Sequence, residues 1–225
     1  LSADENLDDS KAVREKLTPS FEAYKKGYEA YYNDHKHPNS PAMRDSSPVI
    51  ILFPGVGMFS FAKNKQTTRV ASEFYINAIN VMRGSEAISK YTSLPRQEAF
   101  DIEYWLLEEA KLQRMPKEQP LSRKVALVTG SGGGIGRAIA DKLIAEGANV
   151  VFTDISDDFL KEATASYSTD QAIACNCDVT SKESIDTAFA KASLQFGGVD
   201  IIVHSAGLAI SKPIEDTSQA DWDLL

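Results

Sequence analysis

The chain has 225 residues, 43% of them hydrophobic and 25% charged, enough for one large or two small domains with a real core. The formal net charge of −8 is unevenly shared: residues 1–120 carry 16 basic and 17 acidic side chains, and residues 121–225 carry eight and fifteen. That acidic surplus repels a phosphate backbone and argues against nucleic acid as a partner, and no apolar run approaches the roughly 18–20 residues that span a bilayer.

The first ten residues, LSADENLDDS, are too acidic and polar for a signal peptide, and the absence of an initiating Met leads us to expect further sequence upstream. Residues 1–33 are rich in helix formers, with Phe21, Tyr24 and Tyr28 on one stripe. Asn, Asp, Ser and Pro make 33–48 a loop, VIILFPG (49–55) a short strand closed by Pro-Gly, and MFSFA a second short apolar piece. A helix fits from Lys65 to about Arg83, with Ala71, Tyr75, Ala78 and Met82 in line and Gly84 as its stop. Another starts near Pro95 and carries Phe100, Tyr104 and Leu107 beside Ile102, Leu106 and Ala110. The polar, Pro-containing stretch RMPKEQPLS (114–122) places a domain boundary there. We take 1–118 as a mainly helical α/β connecting segment and 119–225 as a second domain.

Beyond the linker, strands and helices alternate. VALVTG (125–130) is a continuous apolar strand, as expected of one covered on both faces. The helix 134–147 directs Ile135, Ala138, Ile139, Leu143 and Ile144 at the sheet and stops at Gly147. A strand at 149–154, a helix at 157–167, a strand at 172–179, a helix at 182–196 ended by Gly197-Gly198, and a strand at 200–207 follow. Four strands with three intervening helices form an α/β arrangement, the N-terminal half of a doubly wound parallel sheet. Cys175 and Cys177 are read as thiols that point to opposite faces of a strand, which favours neither a disulfide nor a two-thiolate metal site. Low cysteine usage points to the cytoplasm.

Five glycines lie in TGSGGGIG (129–136), directly after a strand and opening a helix. Gly130 ends the strand in a turn that a Cβ would obstruct, Gly134 lets backbone approach a pyrophosphate, and Gly136 allows close helix–strand packing. N–H groups of the helix N-terminus then face the cofactor's negative charge. A triphosphate-binding loop needs Lys-Ser or Lys-Thr after its glycine, whereas Arg137-Ala138 follows Gly136 here. Asp154 ends the second strand 18 residues beyond Gly136, near the offset of about 20 at which a carboxylate accepts from ribose hydroxyls. A carboxylate there repels a 2′-phosphate, so the expected cofactor is NAD rather than NADP.

These motifs resemble those of the short-chain dehydrogenases/reductases. Thr129, Gly130, Gly134, Ile135 and Gly136 match that family's TGxxxGIG turn, and CDVT (177–180) resembles its adenine-contacting Asp-Val pair at Asp178 and Val179. HSAG (204–207) stands where the family has NNAG: Ala206 and Gly207 match, while His204 and Ser205 replace two Asn. The resemblance implies a Rossmann sheet that binds NAD through Gly130, Ser131, Gly134, Ile135, Gly136, Asp154, Ile155, Asp178, Val179, Ser205, Ala206 and Gly207. It also implies a catalytic Tyr-x-x-x-Lys pair, whose Lys lowers the phenol's pKa. No such pair occurs in 121–225, so no catalytic residue is assigned and this stretch alone is expected to be inactive. Tyr32 and Lys36 have the spacing but lie upstream, in what reads as a polar loop.

PGVGMFSFAKNKQTTRVASEFYINAINVMRGSEAI and LPRQEAFDIEYWLLEEAKLQRMP, together with the dehydrogenase motifs, resemble the middle of the bifunctional rhamnulose-1-phosphate aldolase/short-chain alcohol (lactaldehyde) dehydrogenases. That resemblance implies a piece of a longer rhamnose-catabolic protein acting on a small alcohol or aldehyde. His35 and His37 have the spacing of a zinc-binding pair but sit in the expected loop without a third imidazole, so no metal site is assigned. The competing reading is a non-catalytic dinucleotide-binding or scaffold module. A sugar-nucleotide epimerase ranks lower because it uses a different glycine spacing. A homo-oligomer is expected, because a four-stranded sheet leaves an edge and an apolar face uncovered.

Overall fold

The computed structural model describes residues 9–224, so the first eight residues of the expected N-terminal helix lie outside the described ones. The chain folds as two compact units, residues 1–117 and 118–225.

In the first unit, α1 (Ser10–His35) starts at Asp9, whose carboxylate accepts from the backbone N–H of Lys11 and Ala12. It runs through Tyr32 to His35, beyond the expected loop boundary at 33. β1 (Ile50–Phe53) and β2 (Gly57–Ser60) form an antiparallel hairpin. α2 (Lys65–Ile88) is capped by Asn64 and passes through Gly84, the expected stop. An exposed glycine inside a helix costs only about 1 kcal/mol, less than breaking the turns on either side. The single helix expected from Pro95 divides into α3 (Arg96–Glu103) and α4 (Leu106–Gln113). The break at Tyr104-Trp105 lets Phe100 and Tyr104 turn inward together, their rings stacked 4.6 Å apart, while Leu107 is left exposed. They are the buried hydrophobic residues described in this unit, Phe100 completely so. Tyr28, Tyr31 and Tyr32 of α1 close over them.

The second unit holds a parallel sheet of β3 (Val125–Thr129), β4 (Asn149–Asp154), β5 (Ala172–Asn176) and β6 (Ile201–Val203), in the order β5-β4-β3-β6. The connecting helices are α5 (Gly134–Ala145), α6 (Asp157–Thr164) and α7 (Lys182–Phe196), and a short α8 (Gln219–Leu224) follows. β3 is buried along its whole length because both faces are covered. Ala126, Val128, Val150 and Phe152 pack with Ala140 and Ile144 of α5 and Leu160 of α6. Leu127 and Val151 pack with Ala188 and Ala192 of α7. The doubly wound reading is therefore observed.

Two expectations need correction. Cys175 and Cys177 are buried free thiols, but they do not diverge: both enter the cluster under α7, since residues i and i+2 of an extended chain share a face. α5 buries Gly136, Ala140 and Ile144, leaving Ile135 77% exposed and Ala138 open to solvent. The reason is steric. A Cβ on Gly136 would run into the Gly130 carbonyl oxygen, so Gly136 marks the line of closest approach and its i+4 and i+8 neighbours follow it inward.

Candidate functional site

The site lies at the carboxyl ends of the strands, where the β3–α5 turn meets the ends of β4, β5 and β6. Gly130 adopts φ 63°, a left-handed conformation that favours glycine, and a Cβ there would stand 2.7 Å from the Ala206 Cα. The turn is thus seated directly on the Ser205-Ala206 backbone. Thr129 adds to that seat: its hydroxyl oxygen accepts from the N–H of Ser205 and of Ala206, both at 3.1 Å. Ser131 is fully buried and braces the turn from beneath. Its N–H donates to the Thr153 carbonyl at 3.0 Å, and its hydroxyl accepts from the Thr153 N–H at 2.8 Å.

On the open side, Gly133 and Gly134 are exposed, and a Cβ on Gly134 would meet no atom within 4 Å. Among the described residues, none accepts from the backbone N–H of Gly134, Ile135 or Gly136, the first residues of α5. These donors, with the positive end of the helix dipole, suit a diphosphate. Across the turn, the Asp154 carboxylate reaches back from β4: its Oδ2 accepts from the Gly132 N–H at 3.1 Å and its Oδ1 from the Ser156 N–H at 3.1 Å. A Cβ on Gly132 would lie 2.9 Å from that Oδ2 and 2.6 Å from the Phe159 Cβ, so glycine is what lets the carboxylate approach the turn.

Ile155 is 69% exposed beside Asp154. Asp178 and Val179 follow β5 on the surface; the Asp178 carboxylate accepts from the Thr180 hydroxyl at 2.7 Å and N–H at 2.9 Å. These bonds hold its pKa below the ordinary carboxylate value, the hydroxyl contributing most. Ala206 and Gly207 are exposed, as is His204 at the end of β6, while Ser205 is half-buried. The structure thus seats Gly130 against Ala206 and Gly132 against Asp154, keeps Gly134, Ile135 and Ile155 exposed and Gly136 buried, and leaves Asp178, Val179, Ala206 and Gly207 exposed after β5 and β6. Thr129 matches the motif without a role assigned to it there, and Ser156 and Asn176, which also act through hydrogen bonds, are not singled out from sequence. The Thr of TGxxxGIG carried a signal for the first, whereas capping chemistry hinted at Ser156 only as the N-cap of α6.

The upstream candidates are engaged by partners within the first unit. Tyr32 is helical, not in a loop; its hydroxyl donates to the Pro41 carbonyl at 2.7 Å, and the Lys36 ammonium lies over its ring. The ring nitrogens of His35 and His37 meet the Tyr31 carbonyl at 2.8 Å and the Asp101 carboxylate at 2.7 Å. Among the described residues, no group of three or more His, Cys, Asp or Glu side chains is arranged to hold a metal ion.

Comparison with known proteins adds the family context. Residues 1–112 match the family "Aldolase class II, second domain" and residues 124–225 match "short chain dehydrogenase". An uncharacterized oxidoreductase of Bacillus subtilis, YuxG, is 38% identical over 207 residues, covering 90% of this chain and 30% of its own length. An uncharacterized oxidoreductase of Staphylococcus aureus is 41% identical over 103 residues, 46% of this chain and 45% of its own. The chain therefore spans well under two thirds of these relatives. A solved short-chain dehydrogenase/reductase (glucose/ribitol dehydrogenase) from Brucella melitensis is 38% identical, covers 48% of this chain and 45% of its own, and superposes with a TM-score of 0.44. Residues 1–112 thus resemble a class II aldolase second domain, and residues 124–225 resemble a short-chain dehydrogenase.

Proposed function

We propose that residues 119–225 form the NAD-binding portion of a short-chain oxidoreductase that transfers hydride between NAD and a small alcohol or aldehyde. The observation that carries this reading is the Asp154 carboxylate held against the glycine turn by the Gly132 N–H. The residues fit the cofactor. Gly134 faces space that a side chain would fill, the first N–H groups of α5 are available to a diphosphate, and Asp154 presents a fixed carboxylate to ribose hydroxyls. That carboxylate would repel a 2′-phosphate, which favours NAD over NADP. Bound NAD supplies the hydride acceptor. The protein's part is to hold the diphosphate on backbone donors, orient the adenosine sugar through Asp154 and seat the turn on β6 through Thr129.

Residues 1–118 are read as a connecting segment associated with an aldolase. The whole protein is read as a cytoplasmic, bifunctional rhamnulose-1-phosphate aldolase/lactaldehyde dehydrogenase working as a homo-oligomer. The resemblance of both halves in one chain supports this reading. Calorimetric titration with NAD and NADP tests the cofactor: NAD is expected to bind at least tenfold tighter, and D154A to abolish the preference. Equal or tighter NADP binding would refute it. Because 121–225 contain no Tyr-x-x-x-Lys, the 225-residue chain should bind NAD without oxidising lactaldehyde. A non-catalytic dinucleotide-binding module is the second reading. Turnover in the longer protein decides between the two.

A further inference from the structure

We infer that Asn176 is a positioning residue that sets the adenosine end of the site; the inference rests on the NAD reading above. Asn176 is the last residue of β5 and stands in register with Asp154, the last residue of β4. Its amide nitrogen donates two hydrogen bonds, to the Ile155 carbonyl at 3.0 Å and to an Asp157 carboxylate oxygen at 3.0 Å. The backbone beside it is fixed by the Cys177 N–H, which donates to the Asp154 carbonyl at 2.9 Å. The segment between the end of β4 and the start of α6 is thereby tied to β5 from one side. From the other it is tied by its own capping bonds, in which the Ser156 hydroxyl accepts from the Phe159 N–H.

The chemistry of the side chain explains why Asn does this. Both partners are acceptors, and a carboxamide offers two N–H groups on one short, rigid branch. An Asp there would set a negative charge against a carbonyl and a carboxylate, and an Ala would donate nothing. Asn176 is itself exposed, so its loss hands the Ile155 carbonyl and Asp157 to water at little cost in stability. What it removes is order in 155–157, and with it the fixed direction of the Ser156 N–H that holds one oxygen of Asp154. A carboxylate that must be ordered at the moment of binding gives a weaker complex than one already in place.

The test is a double-substitution cycle on the 225-residue chain, with NAD and ADP-ribose affinities read by calorimetry. N176A is expected to weaken both ligands about three- to tenfold, the loss of roughly one hydrogen bond's worth of preorganisation, with the unfolding midpoint unchanged. N176D, close in volume but, as a carboxylate, unable to donate either bond, should lose at least as much. In the D154A background, N176A should add nothing, because the group it orients is gone. Parent-like affinity in N176A or N176D overturns the inference while leaving the NAD reading intact, and so does an equal loss with and without Asp154. Failure of the parent chain to bind either ligand refutes the NAD reading, and this inference with it.

Discussion

The glycines of the β3–α5 turn do different work, and the difference is measurable residue by residue. Gly136 sits where a Cβ would strike the Gly130 carbonyl, inside the packed joint between strand and helix. Gly134 meets nothing within 4 Å. Gly136→Ala should therefore destabilise the second unit by about 1–3 kcal/mol, as over-packing of a tight joint does. Gly134→Ala should leave the midpoint of urea unfolding where it is and weaken NAD several-fold, by filling the diphosphate's space. If Gly134→Ala bound NAD like the parent, the diphosphate would have to lie elsewhere. The roles of Gly130 and Gly136 could be argued from the motif alone. Ser131 could not be placed that way: a serine in a glycine-rich turn reads as a ligand contact, yet its hydroxyl is buried against Thr153, a contact 22 residues away in sequence.

At the scale of elements, the joint between α1 and α3 depends on phenols. The Tyr28 hydroxyl donates to the Glu103 carboxylate at 2.5 Å and shares a 2.7 Å bond with the Tyr104 hydroxyl. Burial pushes the Tyr31 phenol from its ordinary 10.0 up to about 12, with the neighbouring Glu103 charge adding to it, and Tyr28 is pushed higher still. A raised pKa means that the folded state keeps the proton that the unfolded state gives up. The stabilisation is thus fully present below pH 10 and is lost as pH rises from about 10 through about 12. Spectrophotometric titration should show Tyr31 and Tyr28 ionising late, together with melting of the first unit. A single tyrosinate transition near the ordinary value, with helicity unchanged, would contradict this. Sequence periodicity found these helices but misjudged their ends, because Gly84 is a weak breaker and the turn at Tyr104-Trp105 is set by the inward pull on two aromatic rings.

Across the whole molecule, each unit leaves apolar surface in the open. In the first, Phe74, Val81 and Ile88 of α2 are 71%, 57% and 90% exposed; in the second, Ile135, Leu194 and Ile214 are 77%, 87% and 79% exposed, and β6 ends the sheet without a further neighbour among the described residues. Apolar faces and open strand edges of this kind promote association. Sedimentation of the chain should therefore give a mass above its 24.6 kDa, rising with concentration. A concentration-independent monomer would show that these faces tolerate water.

Residue pattern was enough to read the parallel alternation of the second unit, its glycine turn and the location of Asp154 at a strand end. These are local in origin: a run of apolar residues forces a strand to be covered on both faces, and a glycine is demanded wherever backbones nearly touch. Only packing in three dimensions set which face of α5 is buried and brought Asn176 onto the segment after Asp154. Each of these depends on atoms brought together from distant parts of the chain, by close approach or by hydrogen bonding, and one-dimensional spacing carries no record of that proximity.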